Sequence, residues 1–167
     1  MLTVGDKFPD LHMKGVNEEN EIIDVDVVLP EWTVVYLYPK DFTFICPTEI
    51  AGMDELSSRC DVIGVSGDNE FCKLAWKKDN SLIRDIKHIL AADCGLRLSR
   101  QLGIVNEEEG VCYRATFIID PEGIIQHVSV NALDTGRSAT EISRTLQALQ
   151  AGGLTGCSWT LGDEFVG

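Results

Sequence analysis

The sequence predicts an α/β protein, a central mixed β-sheet flanked by helices, and three observations carry that expectation. Two apolar, β-branched runs, TVVYLYP at 33–39 and DVIGVSGD at 61–68, are each followed by apolar residues at helical spacing, the pattern of parallel strands joined by crossover helices. Two later runs, ATFIID and GIIQHVSV, are linked by DPEG and read as an antiparallel hairpin. A closing amphipathic stretch supplies a helix to cover the sheet.

Taken in order, the run at 33–39 ends in Pro39, as a buried strand does where its ladder stops. The following segment, CPTEIAGMDELSSRC, places Ile50, Met53 and Leu56 on one helical face, with Pro47 and Glu49 near its start, where proline is tolerated and an acid is favoured. Cys46 therefore falls where a strand hands over to a helix. Gly67, Asp68 and Asn69 cap a second helix, whose expected apolar face is Phe71, Leu74 and Ala75. HILAAD reads as a third strand and LRLSRQLG as a short, weaker helix. In the hairpin, Asp120, Pro121 and Gly123 stand where a type I turn wants them. Ser138 and Glu141 form a candidate capping box, and Ile142, Leu146 and Leu149 make a stripe ending near Gly152 and Gly153. This order of elements is compatible with a thioredoxin-like fold.

Composition narrows the function classes. The 167 residues suit one domain, with 44% hydrophobic and 25% charged residues, as in folded globular proteins. A net charge of −13 disfavours nucleic acid and anionic membrane surfaces as partners. No apolar run approaches the roughly twenty residues a membrane span needs, and the start, MLTVGDKFPD, lacks the basic-then-apolar order of a secretory signal. The expected location is the cytoplasm. The six cysteines, Cys46, Cys60, Cys72, Cys94, Cys112 and Cys157, are scattered singly, with no CxxC pair. That spacing argues against zinc or iron–sulfur ligation, and structural disulfides are not expected in a cytosolic chain. Buried free thiols and reactive thiols remain as two readings.

For Cys46 the setting matters. A helix N-terminus stabilises an anion through its unpaired N–H groups and dipole, so a thiol there gains thiolate character and nucleophilicity. Thr43 offers a hydroxyl to the sulfur or to an incoming oxygen, and Pro39 could shield the sulfur from water. The simpler alternative is a small buried hydrophobe.

The stretch PKDFTFIC matches P-x-x-x-T-x-x-C, and with its continuation PTEI it resembles the peroxiredoxins, specifically the alkyl hydroperoxide reductase C-subunit type. Further matches follow in order: VIGVSGD, AWKK with Trp76, YRATFIIDPEGII with Arg114, and TGRS with Arg137. The similarity runs from VGDKFPD to GCSW. The resemblance implies a thiol-dependent peroxidase that reduces hydrogen peroxide and organic hydroperoxides with no cofactor and no metal. It implies that Cys46 is the peroxidatic cysteine, with Pro39, Thr43 and Arg114 completing the site. Glu49 and Arg137 would orient Arg114, and Trp76 would line the pocket; a helix-start acid, a solvated charge and a core ring are their simpler readings. Cys157 takes the role of resolving cysteine, closing an intersubunit disulfide on the sulfenic acid of a partner's Cys46. Implied partners are the hydroperoxide, a second copy in a homodimer that in the family often joins a ring of dimers, and an external dithiol reductant: a thioredoxin-like protein, a flavoprotein disulfide reductase or a small dithiol protein. Residues 1–151 form the expected domain and 152–167 a tail carrying Cys157. Cys60, Cys72, Cys94 and Cys112 have no matching role and read as packing.

Two departures from the family pattern bear on behaviour. Ten residues follow Cys157 with no Tyr-Phe motif, and the stretch from Trp76 to Arg97 lacks the Gly-Gly-Leu-Gly element of relatives sensitive to over-oxidation. The expected result is an enzyme that closes its disulfide before further oxidation, so mass spectra taken at modest peroxide should show little sulfinic acid. Thr155 stands where one branch carries an additional cysteine, which leaves the choice of reductant open. A different class, a holdase or redox-signalling oligomer, is separated by its client protection, which would survive Cys46→Ser. A thioredoxin-like disulfide reductase is disfavoured because the third residue after Cys46 is Glu49 rather than cysteine.

Overall fold

The computed structural model describes residues 1–10, 12–27 and 30–167. Its strands are β1 (His12–Val16), β2 (Ile22–Asp26), β3 (Thr33–Leu37), β4 (Asp61–Ser66), β5 (Ile89–Ala92), β6 (Val105–Asn106), β7 (Val111–Cys112), β8 (Arg114–Ile119) and β9 (Ile125–Asn131). The helices are α1 (Cys46–Met53), α2 (Glu70–Asp79), α3 (Arg97–Leu102) and α4 (Ala139–Ala151).

The β-branched runs predicted as strands form the centre of a seven-stranded sheet of order β2-β1-β5-β4-β3-β8-β9. β3 pairs in parallel with β4, and β4 with β5, across the crossovers that contain α1 and α2. β8 adds antiparallel to β3 and continues into β9, where Gly123 N–H donates to the Asp120 carbonyl at 3.0 Å to close the turn. The sheet is therefore mixed, flanked by helices, as the sequence predicted.

Strand alternation sorts side chains to the two faces. Val35 and Leu37 of β3 join Phe8, Leu98 and Leu102 on one side. Val34 and Tyr36, with Tyr38 just beyond the strand, meet Ile50 and Met53 of α1 and Ile142 and Leu146 of α4 on the other. Fully burying an aliphatic or methionine side chain of this size contributes roughly 1.5–3 kcal/mol, and Ile50 and Met53 are both wholly buried. That burial seats α1 on the sheet.

Three local expectations need correction. The buried side of α2 is Lys73, Trp76 and Lys77, while Phe71 is 66% exposed and Ala75 is also exposed. The reason is polar: Lys73 Nζ donates to Ser66 Oγ at 2.5 Å and to Asp41 at 3.3 Å, and Lys77 Nζ donates to the Asn17 carbonyl at 2.9 Å. Each amine reaches a partner while its stem packs, so long cations replace apolar residues at the interface. The Ser138–Glu141 capping box is half made, since Ser138 Oγ accepts the Glu141 N–H at 3.2 Å but the Glu141 carboxylate binds Arg144 instead. The helix after Cys46 is shorter than its apolar spacing suggested, passing at Asp54–Ser58 into a 3₁₀ turn that still buries Leu56.

Candidate active site

α1 starts at Cys46 itself, with Pro47 in its first turn. Glu49 lies three residues on, so the spacing of a helical turn sets both side chains on one side. Cys46 is wholly buried. Arg114, the first residue of β8, reaches it from across the sheet: its Nη1 donates to Cys46 Sγ at 3.3 Å and to Glu49 Oε1 at 2.5 Å, while its Nε donates to the Leu133 carbonyl at 2.7 Å. Arg137 comes from the connection between β9 and α4. Its backbone N–H and Nε donate to Glu49 Oε2 at 2.9 and 2.7 Å. Nη1 holds the Ala115 carbonyl at 2.8 Å and Nη2 the Leu37 carbonyl at 2.6 Å.

The side chains of Glu49, Arg114 and Arg137 are 2%, 5% and 3% exposed, which makes this a desolvated charge cluster. Two guanidinium groups against one carboxylate leave a surplus of one positive charge beside the sulfur, which a thiolate would neutralise. Burial works against the Arg114 charge, but its contacts with Cys46 and Glu49 outweigh that and raise its pKa above the ordinary arginine value. The guanidinium is thus a permanent cation fixed in direction by three acceptors.

Arg114 also opens onto a surface cavity of about 380 Å³, shared with Pro39, Thr43, Lys40, Glu109 and Leu133 among others. Pro39, Thr43 and Arg114 are therefore together at one mouth. The Thr43 hydroxyl donates to the Lys40 carbonyl at 2.8 Å rather than to the sulfur. Trp76 is not at this mouth. It is 2% exposed and packs behind it, with ring centroids 6.0 Å from Tyr38 and 5.9 Å from Phe42, because its position on α2 faces the sheet. That corrects the pocket-lining expectation in favour of the core reading.

Sequence reasoning missed the clasp that holds the segment before Cys46. Asp41, buried, accepts from Lys73 Nζ at 3.3 Å and from Ser66 Oγ at 2.8 Å, and its own N–H donates to Asp68 Oδ2 at 2.7 Å. The next residue, Phe42, takes a left-handed backbone with φ 59°, unusual outside glycine. No local signal marks Asp41 or Lys73, since their pairing is visible only after folding.

Cys157 lies in the tail beyond Gly152, which ends α4 with φ 77°. The thiol is exposed and borders a second cavity, about 610 Å³, with Arg144 and Thr155 on its wall. The tail is docked rather than loose: Trp159 is 4% exposed and stacks on Phe165 at 6.1 Å, and Arg144 Nη1 donates to the Trp159 carbonyl at 2.9 Å. Of the other cysteines, burial pushes the thiols of Cys60 and Cys112 up to about 12. Cys94 sits exposed on the turn after β5, so it is not the packing thiol its sequence context suggested. Brief iodoacetamide treatment of the native reduced protein at pH 7.5 should accordingly label Cys94 and Cys157 and leave Cys60 and Cys112 unmodified by mass spectrometry. Among the described residues no three His, Cys, Asp or Glu side chains are grouped to hold a metal ion.

A buried sulfur at the start of a helix is faced by an arginine that a buried glutamate holds in place, an arrangement suited to thiol chemistry. Comparison with known proteins gives the family. Residues 4–128 match the AhpC/TSA family. The chain is 35% identical to alkyl hydroperoxide reductase C of Mycolicibacterium smegmatis, across 99% of this chain and 94% of the relative. It is 41% identical to a putative peroxiredoxin of Bacillus subtilis, across 96% of each. Among solved structures, the reduced 2-Cys peroxiredoxin of Plasmodium vivax superposes with a TM-score of 0.90 at 31% identity, covering 98% of this chain and 92% of that one. Enterococcus faecalis AhpC gives 0.85 at 34% identity, covering 90% and 94%. The chain belongs to the AhpC/TSA family as a peroxiredoxin of the AhpC type. It is a thiol-dependent peroxidase that takes a hydroperoxide as substrate and a thiol as reductant.

Proposed function

We propose that Cys46 is the sulfur that attacks the hydroperoxide and that Arg114 is the group that carries the developing charge. The contact from Arg114 Nη1 to Cys46 Sγ at 3.3 Å is the observation this rests on. As the thiolate adds to the terminal oxygen, the O–O bond breaks and negative charge appears on the departing oxygen. A fixed guanidinium donor already beside the sulfur stabilises that charge without having to reorganise. Pro39 and Thr43 bound the approach to it, and Glu49 with Arg137 keeps Arg114 aimed. Glu49 and Arg137 act through another residue and are positioning residues.

The sulfenic acid so formed condenses with Cys157 of a partner subunit, releasing water. Cys46 is wholly buried and Cys157 exposed, so the first turn of α1 opens before the two sulfurs meet. Residues 1–151 then act as the peroxidase domain and 152–167 as the arm that delivers Cys157. A homodimer is the least assembly this requires, and dimers of this kind can join into a ring. Regeneration takes an external dithiol, which attacks the disulfide through its thiolate: a thioredoxin-like protein, a flavoprotein disulfide reductase or a small dithiol protein. We place the cycle in the cytoplasm, whose thiol pool keeps singly scattered cysteines reduced.

Non-reducing electrophoresis after one equivalent of hydrogen peroxide tests the scheme. The expected result is a band of doubled mass that Cys157→Ser removes. An unchanged monomer band in the wild-type protein would exclude the intersubunit bridge.

A further inference from the structure

Behind the Arg137 guanidinium, three titratable side chains form an unbroken hydrogen-bonded line that the peroxide chemistry does not use. Tyr36 Oη lies 2.5 Å from His88 Nε2, and His88 Nδ1 lies 2.7 Å from Asp54 Oδ1. Tyr36 is wholly buried and His88 3% exposed, whereas the Asp54 side chain, at the end of α1, keeps 22% of its surface in solvent. Asp54 Oδ1 also accepts the backbone N–H groups of Lys87 at 2.8 Å and His88 at 3.2 Å.

The charges settle which group donates. Burial opposes ionisation of Asp54, but its bonds from His88 and the Lys87 N–H prevail and hold its pKa below the usual 3.8. Burial lowers the His88 pKa from 6.5 despite Asp54, and burial raises that of Tyr36 well above 10. At neutral pH the line is therefore phenol, neutral imidazole, carboxylate. Tyr36 O–H donates to Nε2, and Nδ1–H donates to Asp54.

Packing alone would not call for this arrangement. Phenylalanine at 36 and an aliphatic residue at 88 would fill the same volume with no buried polar group to satisfy. Room for the phenol oxygen comes from Gly64, which pairs with Tyr36 across β3 and β4; a Cβ there would stand 2.5 Å from Oη. The Tyr36 ring also touches the site already described. Arg137 lies over it at 5.2 Å, and Tyr36 and Cys46 belong to one buried cluster. Away from the site, Tyr38 follows at 6.2 Å between ring centroids and Trp76 at 6.0 Å from Tyr38.

We propose that Tyr36, hydrogen-bonded to His88 and through it to Asp54, is a one-electron donor that repairs a thiyl radical at Cys46. The proposal rests on the reading of Cys46 as the reactive sulfur. Alkoxyl and peroxyl radicals, the one-electron relatives of hydroperoxides, take one electron from a thiolate and leave a thiyl radical. Tyr36 returns that electron: the sulfur becomes thiolate again, the phenolic proton moves to His88 Nε2, and the products are a neutral phenoxyl radical and an imidazolium paired with the Asp54 carboxylate. One electron and one proton leave the phenol, and no atom leaves the protein. Oxidation without that proton transfer would strand a phenol radical cation in a low-dielectric core, which the adjacent base avoids. A soluble thiolate or ascorbate-like reductant then resets Tyr36.

The test makes the thiyl radical in place. Reduced full-length protein is S-nitrosated, with occupancy of Cys46 confirmed by mass spectrometry, then frozen, photolysed to cleave the S–NO bond, and followed by electron paramagnetic resonance on warming. A tyrosyl signal should grow in as the thiyl signal decays, with a strongly coupled exchangeable proton that disappears in deuterated water. Tyr36→Phe and Cys46→Ser should each reduce the tyrosyl signal at least tenfold. His88→Gln, which keeps a hydrogen-bonding side chain but cannot take up the proton, should reduce it at least threefold. A tyrosyl signal of undiminished size in Tyr36→Phe or His88→Gln overturns the proposal, as does a wild-type sample that yields none. The absence of a tyrosyl signal in the wild-type protein counts against the proposal even if a variant misfolds. Peroxide consumption that survives in Cys46→Ser overturns the underlying assignment of the sulfur instead, so the two failures are separable.

Discussion

Replacing Cys46 with serine is expected to reduce peroxide consumption by about ten-thousand-fold or more, the order seen when a covalent nucleophile is removed. The hydroxyl is nearly isosteric, and at this buried position it can still accept the Arg114 bond, so the fold should persist while the chemistry stops. The assay is loss of hydrogen peroxide with a chemical dithiol as reductant, which avoids dependence on a particular partner protein. Residual turnover near the wild-type rate would move the reactive sulfur elsewhere, with exposed Cys94 the first alternative to examine. Client protection in the same variant, if present, would belong to a separate holdase activity.

The second large effect is expected at Arg114. Arg114→Lys keeps one positive charge but loses the fork by which Nη1 serves both Cys46 and Glu49 while Nε holds Leu133. An ammonium on a flexible stem cannot satisfy the three together. The rate constant for peroxide should fall about 10²–10³-fold, as on losing one preorganised donor to a developing oxyanion. Reaction of Cys46 with a neutral alkylating agent should fall less, because that transition state places no charge on an oxygen. Equal losses in both reactions would mean that Arg114 acts only by tuning the sulfur.

How much of this was legible in the sequence depends on where each residue's partners lie. The strands at 33–37 and 61–66 and the start of α1 follow from short-range pattern, because β-branched runs and a proline in the first turn act locally. Arg114 and Glu49 were named together only through family resemblance, since no spacing rule would have joined residues 65 positions apart. The face of α2 was misread because lysine is assumed to be solvated; here the carboxylate partner of Lys73 and the carbonyl partner of Lys77 lie 32 and 60 positions away. The β1–β2 hairpin went unassigned for another reason. Lys14 on β1 and Asp24 on the edge strand β2 are exposed and interrupt the apolar signal that Val16 and Val25 provide.

The Asp41 clasp limits how far Cys46 can travel. With Asp41 fastened to Lys73 and Ser66, only the five residues from Phe42 to Cys46 are free to pivot on that side. At about 3.3–3.6 Å per extended residue, that tether reaches roughly 18 Å at most. In the proposed cycle Cys46 then swings on a short leash, and the longer excursion toward a meeting point is assigned to the Cys157 arm, which must first undock.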